Sequence, residues 1–294
     1  MFQCMFLCAG LGARLRPLTL ELPKPLVPVG DRPILAHLVD YVRKSRGVPK
    51  VINTHHRPEA FESFIKNEGE GLILSYEPEL LGTAGGLAAV RHHLGSVPVV
   101  VWNGDIFAQP NLSVLVSACF GVAASLAVVE RPVGEGTCGF DSEGRIVRLR
   151  GERFGIEQTG ADYMGVFALD SAQLVNVPLR GCIVGDYILP RLRAGDIVRG
   201  VTGHGEFSDV GTPSAYLREN LRWLGEHVKN SQNFVHPDAV VAKTVDLVKC
   251  VVGAGAKITG SGRLERVVVW PYASVVVPIS DAIVTRSHGI FQVT

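Results

Sequence analysis

Short apolar runs alternate with amphipathic segments along the first third of the chain. Runs rich in β-branched residues predict buried strands, and apolar residues spaced three or four positions apart predict helices. The predicted strands cover residues 5–8, 50–54, 72–76 and 97–102, and the predicted helices cover residues 33–42, 58–65 and 87–94. This alternation favours an α/β fold with a mixed or mostly parallel sheet and helices on both of its faces.

The middle of the chain continues this pattern with additional strands. Residues 123–130 and 163–169 are apolar runs, and residues 138–147 predict a hairpin around an Asp-Ser-Glu-Gly turn. Residues 186–192 predict a helix. Thr212-Pro213 predicts the start of another helix, because threonine caps helices well and proline suits the first turn.

The pattern changes near residue 229. From His236 onward helical periodicity disappears, and valine-rich steps recur about every six residues with small residues at the corners between them. Such hexads are typical of a left-handed parallel β-helix of few coils, and a small β-sandwich is the alternative. We therefore predict an α/β domain over residues 1–228 and a short β-helical tail over residues 229–294.

Composition narrows the class of protein. Apolar residues make up 47% of the chain and the formal net charge is +1, so neither nucleic acid nor a membrane surface is an expected partner. The six cysteines form no Cys-x-x-Cys pair, which argues against a zinc site. Cys4, Cys8 and Cys250 have apolar neighbours and are predicted to be small core residues. No apolar run reaches the roughly 18 residues of a membrane span and no signal peptide is recognisable, so we expect a cytoplasmic protein.

Candidate chemistry is concentrated in the segment after the first predicted strand. Gly10 and Gly12 let the backbone turn sharply and approach a ligand, and consecutive N–H groups in such a turn bind anions. Arg14 and Arg16 add positive charge, and flanking prolines hold Lys24 on a stiff backbone. Gly-x-Gly also occurs in ordinary turns, and the dinucleotide and P-loop motifs are both incomplete here. The segment predicts a phosphate-binding loop of another kind.

Two further candidate sites follow predicted strands. Asp105 ends a buried strand, where a carboxylate is poorly placed unless it meets a cation, so a metal role is favoured over that of a turn residue. Residues 81–87 form a second glycine-rich turn. It could admit a flat ring or a phosphate, or it could be only a tight turn between a strand and a helix. Glu77 precedes this turn and could read a guanine base or remain a solvated acid.

These segments together resemble the sugar-1-phosphate nucleotidylyltransferases, most closely their mannose-1-phosphate guanylyltransferase branch. The resemblance rests on G-x-G-x-R-L-x-P-L-T with P-K-P-L, on L-G-T-A-G, and on D-x-G-T-P-x-x-Y-L-x-x-N beginning at Asp209. It covers nearly the whole chain and implies a Rossmann-like fold of the nucleotide-diphospho-sugar transferase type. It also implies a reaction in which an NTP and a sugar 1-phosphate give an NDP-sugar and pyrophosphate.

The resemblance implies roles for particular residues. Arg14 and Lys24 would hold the phosphates during catalysis. Asp105 and Asp209, far apart in sequence, would meet at one Mg²⁺, the expected cofactor, although Asp209 could instead belong to an isolated capping loop. The nucleotide-binding positions that it implies are Ala9, Gly10, Gly12, Glu77, Gly82, Thr83, Ala84 and Asn103.

The predicted sugar pocket departs from the family pattern. Many relatives carry Glu-Lys-Pro after the hairpin, and its lysine binds the sugar phosphate, whereas this chain has Arg150-Gly151-Glu152-Arg153. Arg150 or Arg153 is expected to replace that lysine, because a guanidinium binds phosphate through two hydrogen bonds. Gly139 and Gly165 are expected to line the same pocket.

The sequence is compatible with several activities. GTP and mannose 1-phosphate are the preferred substrates, and UTP or dTTP with glucose, N-acetylmuramate or heptose 1-phosphate are alternatives. A non-catalytic NDP-sugar-binding regulatory subunit is an alternative of another class, kept open by the missing Glu-Lys-Pro. A dehydrogenase is disfavoured, since Asn53 stands where a ribose-binding acid is expected. We expect the tail to form a homo-oligomer.

Overall fold

A computed structural model describes residues 1–228 and 231–293. The α-helices are α1 (Leu18–Glu21), α2 (Ile34–Lys44), α3 (Pro58–Glu68), α4 (Gly82–Val90), α5 (Leu112–Ser117), α6 (Leu189–Arg193) and α7 (Pro213–His227). The strands are β1 (Gln3–Leu7), β2 (Pro28–Val29), β3 (Arg32–Pro33), β4 (Val48–Thr54), β5 (Ile73–Tyr76), β6 (Val99–Asn103), β7 (Ile106–Gln109), β8 (Ala124–Arg131), β9 (Cys138–Phe140), β10 (Ile146–Leu149), β11 (Glu152–Arg153), β12 (Thr159–Leu169), β13 (Val198–Thr202), β14 (His204–Asp209), β15 (Phe234–Val235), β16 (Val240–Val241), β17 (Val245–Val248), β18 (Val251–Val252), β19 (Lys257–Val269), β20 (Ser274–Thr285) and β21 (Gly289–Gln292).

The chain forms two compact units. The first contains residues 1–10 and 38–207, and the second contains residues 11–37 together with residues from 208 onward. These units differ from the predicted domains, which divide the chain after residue 228. Residues 229 and 230, next to that boundary, lie outside the described residues. The physical reason lies in α7, whose Tyr216 hydroxyl accepts a hydrogen bond from Trp270 Nε1 of the tail at 2.8 Å.

A mixed sheet organises the first unit. Its strand order is β11-β10-β9-β12-β6-β1-β4-β5, with β8 paired to both β12 and β13. Strands β6, β1, β4 and β5 are parallel, as the alternating pattern predicted, whereas β12 runs antiparallel to β6, β8 and β9. The Rossmann-like α/β fold class is therefore confirmed.

Strand β6 lies at the centre of the core. Its residues Val99 to Trp102 are completely buried, and Leu87 of α4 and Ile188 are buried in the core of the same unit. Each fully buried aliphatic side chain of this kind contributes roughly 1.5–3 kcal/mol to folding. The packed core fixes the parallel strands, so that the carboxyl ends of β1, β4, β5 and β6 face one edge of the sheet.

Helix α4 differs from its prediction. The sequence predicts a helix over residues 87–94 preceded by a glycine-rich turn, but α4 begins at Gly82 and ends at Val90. Glycine disfavours helices by about 1 kcal/mol relative to alanine, and tertiary contacts override that preference here. Gly181 provides them, because it donates its N–H to the Leu81 carbonyl at 2.8 Å and accepts from the Ala84 N–H at 2.9 Å.

The tail of the second unit is β-helical, as predicted. Phe234, Val251, Val268 and Ile283 occupy equivalent positions in the successive parallel strands β15, β18, β19 and β20. Val251, Val268 and Ile283 are buried in the interior of the tail. Strand β21 pairs antiparallel with β20 and so covers one edge of this structure. The handedness of the coil stays a prediction.

Two simpler expectations concern cysteines and membrane spans. The six cysteines, all within the described residues, are free, and Cys4, Cys8 and Cys250 are buried as predicted. Across residues 1–228 and 231–293, no helix has the length and apolar character needed to cross a membrane.

Candidate functional site

In the first unit, the predicted nucleotide-binding residues follow the carboxyl ends of the parallel strands. Ala9 and Gly10 follow β1, and Ala9 is 8% exposed whereas Gly10 is exposed. A Cβ atom built on Gly10 would meet nothing within 4 Å, so open space lies beside this backbone. Ligands of open α/β sheets bind at this edge.

A buried chain of hydrogen bonds connects three of these strand ends. The Cys8 N–H donates to Asn53 Oδ1 at 2.7 Å, and Asn53 Nδ2 donates to Glu77 Oε1 at 2.7 Å. The Leu81 N–H donates to Glu77 Oε2 at 3.1 Å, and Asn53 and Glu77 are each only 2% exposed. We call Asn53 and Glu77 with these bonds the Asn53–Glu77 relay. Glu77 therefore has a role that the sequence did not predict, and its contact with a base stays a prediction.

Asn53 was missed as a member of the candidate site. The sequence did contain a signal for Asn53. It is an amide near the end of a strand at the ligand-binding edge, and no turn requires it there. What the sequence could not supply was its partner, since Glu77 follows a different strand.

The second glycine-rich turn is shaped by backbone contacts. Gly82 has φ +78°, and a Cβ atom there would lie 2.4 Å from the Gly181 carbonyl oxygen. Thr83 Oγ1 accepts the Ile183 N–H at 2.8 Å, and a Cβ atom on Gly85 would lie 2.7 Å from the Leu179 carbonyl oxygen. Gly82, Thr83 and Ala84 consequently have packing roles, and their contacts with a nucleotide stay predictions.

Asn103 and Gly165 lie side by side near the end of β6. Gly165 has φ +72°, and a Cβ atom on it would lie 2.9 Å from Asn103 Nδ2. Asp105 follows β6 and is partly exposed. Burial, together with the nearby Asp105 carboxylate, raises the pKa of the Cys8 thiol well above its usual value, so this thiol is neutral. The Asp105 carboxylate is therefore partly accessible at this edge of the sheet.

In the second unit, the structure brings together three predicted residues. Arg14 Nη2 lies 3.2 Å from Asp209 Oδ2, and Lys24 Nζ lies 3.0 Å from Asp209 Oδ1. The Arg14 side chain is 72% exposed, whereas that of Lys24 is 7% exposed. Two cations thus share the Asp209 carboxylate, and Arg14 keeps most of its side-chain surface in solvent.

Glycines give this cluster its shape. Gly12 has φ +60°, and its carbonyl accepts hydrogen bonds from the Leu15 N–H and the Thr19 hydroxyl, each at 3.0 Å. A Cβ atom on Gly211 would lie 3.0 Å from Asp209 Oδ1 and 3.1 Å from Arg14 Nη2. Thr212 then caps α7 by accepting the Ala215 N–H at 3.2 Å, as the sequence predicted.

The expected sugar side of the first unit contains a buried ion pair that the sequence reasoning missed. Arg148 Nε lies 2.7 Å from Glu157 Oε2, with side chains 8% and 2% exposed. Hydrogen bonding from Arg148 lowers the pKa of Glu157. Gly139 leaves room for this pair, because a Cβ atom on it would lie 2.5 Å from Glu157 Oε1. An arginine within the otherwise apolar strand β10 was the available signal.

The two arginines proposed for the sugar phosphate occupy different environments. Arg150 has φ +47°, and its Nη2 donates to Cys182 Sγ at 3.3 Å. Arg153 is exposed on β11 and stands opposite Arg148 in the strand register. Both stay candidates for binding the sugar phosphate, because their contacts do not favour one arginine over the other.

The expected metal site rests on carboxylates. The described residues contain no cluster of three or more His, Cys, Asp or Glu side chains suited to a metal. Mg²⁺ commonly takes only one or two protein carboxylates together with substrate phosphates, so Asp105 and Asp209 are each donors of a suitable kind. They belong to different compact units, and their meeting at one ion stays a prediction.

Comparison with known proteins places the chain in a family. The family model for nucleotidyl transferases matches residues 3–225. A mannose-1-phosphate guanylyltransferase of Mycobacterium tuberculosis is 29% identical over 286 residues, covering 91% of this chain and 79% of that protein. A probable mannose-1-phosphate guanylyltransferase 1 of Oryza sativa subsp. japonica is 27% identical over 288 residues, covering 87% and 80%.

A solved structure supports the fold. The crystal structure of HddC from Yersinia pseudotuberculosis aligns with a TM-score of 0.63 at 21% identity, over 76% of this chain and 100% of that chain. A second structure of HddC, complexed with GMP-PN, aligns with a TM-score of 0.64 at 20% identity over the same shares. The chain therefore belongs to the nucleotidyl transferase family, and it is a nucleotidyltransferase enzyme.

Proposed function

We propose that this enzyme is a sugar-1-phosphate nucleotidylyltransferase and that it uses GTP and mannose 1-phosphate. Two relatives named for that reaction, at 27% and 29% identity, support the choice of substrates. The structural observation that carries the proposal is the cluster of Arg14, Lys24 and Asp209. It places two cations beside a glycine turn, which is the arrangement that a polyphosphate needs.

The proposed reaction is an in-line displacement at phosphorus. An oxygen of the sugar phosphate attacks the α-phosphorus of the NTP and forms a new P–O bond. The bond from the α-phosphorus to the bridging oxygen of the β-phosphate breaks, and pyrophosphate leaves with the electron pair. The nucleophile is already an anion, so no general base is required. The barrier comes from positioning and from crowded negative charge.

The residues divide this work between them. The backbone N–H groups near Gly10 and Gly12 would hold the triphosphate. Arg14, which is largely exposed, would bind the β- and γ-phosphates and the leaving pyrophosphate. Lys24 would hold the α-phosphate and the incoming sugar phosphate. Both cations also contact Asp209, so a bound phosphate would partly replace that carboxylate as their anionic partner.

Mg²⁺ is the proposed cofactor, held by Asp105 and Asp209. When bound, it would neutralise charge on the transferring phosphoryl group. We expect Asp105→Asn to lower turnover by about 100- to 1,000-fold, because the loss is one of charge stabilisation. Near-normal turnover in this variant, measured by pyrophosphate release, would remove Asp105 from the metal site.

The sugar phosphate is proposed to bind Arg150 or Arg153. Separate Arg150→Gln and Arg153→Gln variants distinguish them, because only the true ligand should raise KM for the sugar 1-phosphate while leaving KM for the NTP unchanged. An unchanged KM in both variants would mean that another residue replaces the family lysine.

The experiment that tests the proposal measures pyrophosphate release with Mg²⁺. The four NTPs and dTTP are each combined with mannose, glucose, N-acetylmuramate and heptose 1-phosphates. Release with GTP and mannose 1-phosphate is the expected result. Release only with UTP or dTTP would keep the reaction and change the substrates. If no pair reacts but an NDP-sugar binds in a calorimeter, the regulatory-subunit alternative replaces the enzyme proposal.

Self-association through the tail is part of the proposal. Strands β15, β16 and β17 each pair with only one neighbour among the described strands, so this edge of the β-helix could accept a further strand. Light scattering of the full chain should give a mass above that of the monomer. The cytoplasmic location stays a prediction.

A further inference from the structure

The Asn53–Glu77 relay connects two segments that the proposed function assigns to the nucleotide. One end is the N–H of Cys8, which begins the segment Cys8–Gly10 after β1. The other end is the N–H of Leu81, which precedes the first residue of α4. Both linking residues are 2% exposed, so water cannot readily replace either bond.

The two ends of the relay determine which side-chain atoms between them must donate and which must accept hydrogen bonds. Both ends are N–H donors, so the side chain next to each must accept. Asn53 can accept with Oδ1 and then donates with Nδ2, which leaves Glu77 to accept from both sides. Only an ionised carboxylate offers two acceptors and no donor. An amide at position 77 would always place one N–H group against another donor.

Surrounding residues fix the relay in place. Gly86 of α4 lies against it, because a Cβ atom there would lie 2.6 Å from Asn53 Nδ2 and 2.8 Å from Glu77 Oε1. His55 Nδ1 lies 2.8 Å from the Glu77 carbonyl oxygen and so joins the ends of β4 and β5 a second time. The relay is therefore enclosed by the strand ends and by α4.

The geometry points to Asn53 and Glu77 as positioning residues that hold the Cys8–Gly10 segment and the start of α4 in one arrangement that receives the nucleotide. This inference rests on the proposed function. It assigns Glu77 to the support of the nucleotide loops rather than to the reading of the base. The relay acts through the backbone, so its loss should affect the NTP more than the sugar 1-phosphate.

The polarity of the relay provides an isosteric test. Glu77→Gln places an N–H group of the new amide against Asn53 Nδ2 or the Leu81 N–H, and Asn53→Asp places two buried carboxylates against each other. The double variant N53D/E77Q restores every bond. Its carboxylate at position 53 accepts from the Cys8 N–H and from the amide at position 77, whose oxygen accepts from the Leu81 N–H.

Glu79→Gln is the matched control for these variants. Glu79 lies two positions along the same loop, and its carboxylate is exposed with Arg180 as its partner. The same change from carboxylate to amide there leaves the relay intact, so we expect wild-type kinetics.

The readout is steady-state pyrophosphate release with GTP and mannose 1-phosphate in the full-length enzyme. We expect each single variant to raise KM for GTP about tenfold, with a smaller change in KM for mannose 1-phosphate, because one buried bond is lost. The double variant should return to within about threefold of wild type and should keep the wild-type preference among NTPs. A purely structural role would lower the unfolding temperature without separating the two KM values.

Two outcomes would overturn the inference. One is a double variant no better than the single variants. The other is a change of base preference in E77Q that persists in the double variant, since that would assign base reading to Glu77.

A separate measurement tests the relay even if the proposed function is wrong. If wild type releases no pyrophosphate with any substrate pair, the function fails, and amide hydrogen exchange then tests the relay without a ligand. The relay predicts faster exchange around Cys8 and Leu81 in E77Q and recovery in N53D/E77Q. Unchanged exchange in E77Q would contradict the relay itself.

Discussion

Two arginine–carboxylate pairs in this enzyme have opposite characters. In the first unit, Arg148 directs its donors to Glu157 and to the carbonyl oxygens of Gly136 and Cys138, at 2.7–2.9 Å. In the second unit, Arg14 has a side chain that is 72% exposed and that donates to Asp209 at 3.2 Å. The first guanidinium is saturated by protein acceptors, whereas the second presents most of its donors to solvent.

The difference separates a structural ion pair from a candidate binding group. A buried charge whose hydrogen bonds are all made cannot release its partner without a large desolvation cost. An exposed pair contributes little to stability, so its cation can exchange a carboxylate for a phosphate at little cost. Lys24, whose side chain is 7% exposed, adds a second cation to Asp209. The exposure of Arg14, more than the presence of an ion pair, marks this cluster as the candidate for phosphate binding.

The largest expected effect tests the functional side of the comparison. Lys24→Met keeps the length of the side chain and removes its charge, so we expect kcat/KM to fall by about 100- to 1,000-fold because one phosphate-binding cation is lost. Pyrophosphate release measures this, and Lys66→Met on the exposed face of α3 is the control. Activity within about threefold of wild type would show that Lys24 does not contact the reacting phosphates.

Breaking the buried pair should affect stability instead. Arg148→Met leaves the Glu157 carboxylate buried without its cation, and we expect the free energy of unfolding to fall by about 3–5 kcal/mol. Urea denaturation measures the change. Adding Glu157→Gln removes the uncompensated charge and should recover much of the loss. A decrease below about 1 kcal/mol for Arg148→Met would place this pair in the same class as a surface ion pair.

Arg14→Gln should affect activity rather than stability, and its effect should be smaller than that of Lys24→Met. We expect kcat/KM for the NTP to fall about 10- to 100-fold, because an exposed cation is screened by solvent more than Lys24. The free energy of unfolding should change by less than about 1 kcal/mol. Denaturation and kinetics on the same preparation give both values, and a stability loss comparable to that of Arg148→Met would contradict the distinction.

The smallest effect concerns a half-buried histidine, His37. His37 Nε2 lies 2.9 Å from the Val29 carbonyl oxygen, and burial lowers the pKa of His37 below 6.5. The unfolded chain binds a proton near pH 6.5 and the folded chain does not, so stability present above that pH is lost as pH falls below it. Relative to His37→Gln, wild type should lose about 1–2 °C of unfolding temperature between pH 7 and pH 5.5. A constant difference across this range would mean that His37 protonates equally in both states.

Local patterns were sufficient for much of the fold. The apolar runs at β1, β4, β5 and β6 predicted buried parallel strands, and Thr212-Pro213 predicted the start of α7, because each depends on near neighbours in sequence. Helix α4 was predicted to begin five residues too late, since intrinsic glycine propensity was outweighed by contacts with Gly181. That contact joins residues about a hundred positions apart, which no local pattern contains.

The candidate site divides in the same way. The phosphate loop and Asp105 could be proposed from the sequence, because glycines, cations and a carboxylate occupy positions whose chemistry is visible one residue at a time. Asn53 and Arg148 were missed because each became meaningful only through a partner, Glu77 or Glu157. A polar residue in an apolar strand is the signal that could have located both.

The sequence by itself determined the order of strands and helices, the β-helical tail and the residue types available for phosphate chemistry. These follow from periodicity and from the chemistry of single side chains. The tertiary structure alone decided that Arg14 and Lys24 share Asp209, that Glu77 is a buried acceptor for two donors, and that Arg148 is saturated. Burial and partnership arise only when distant segments meet, and they determine whether a charge stabilises the fold or remains available to a ligand.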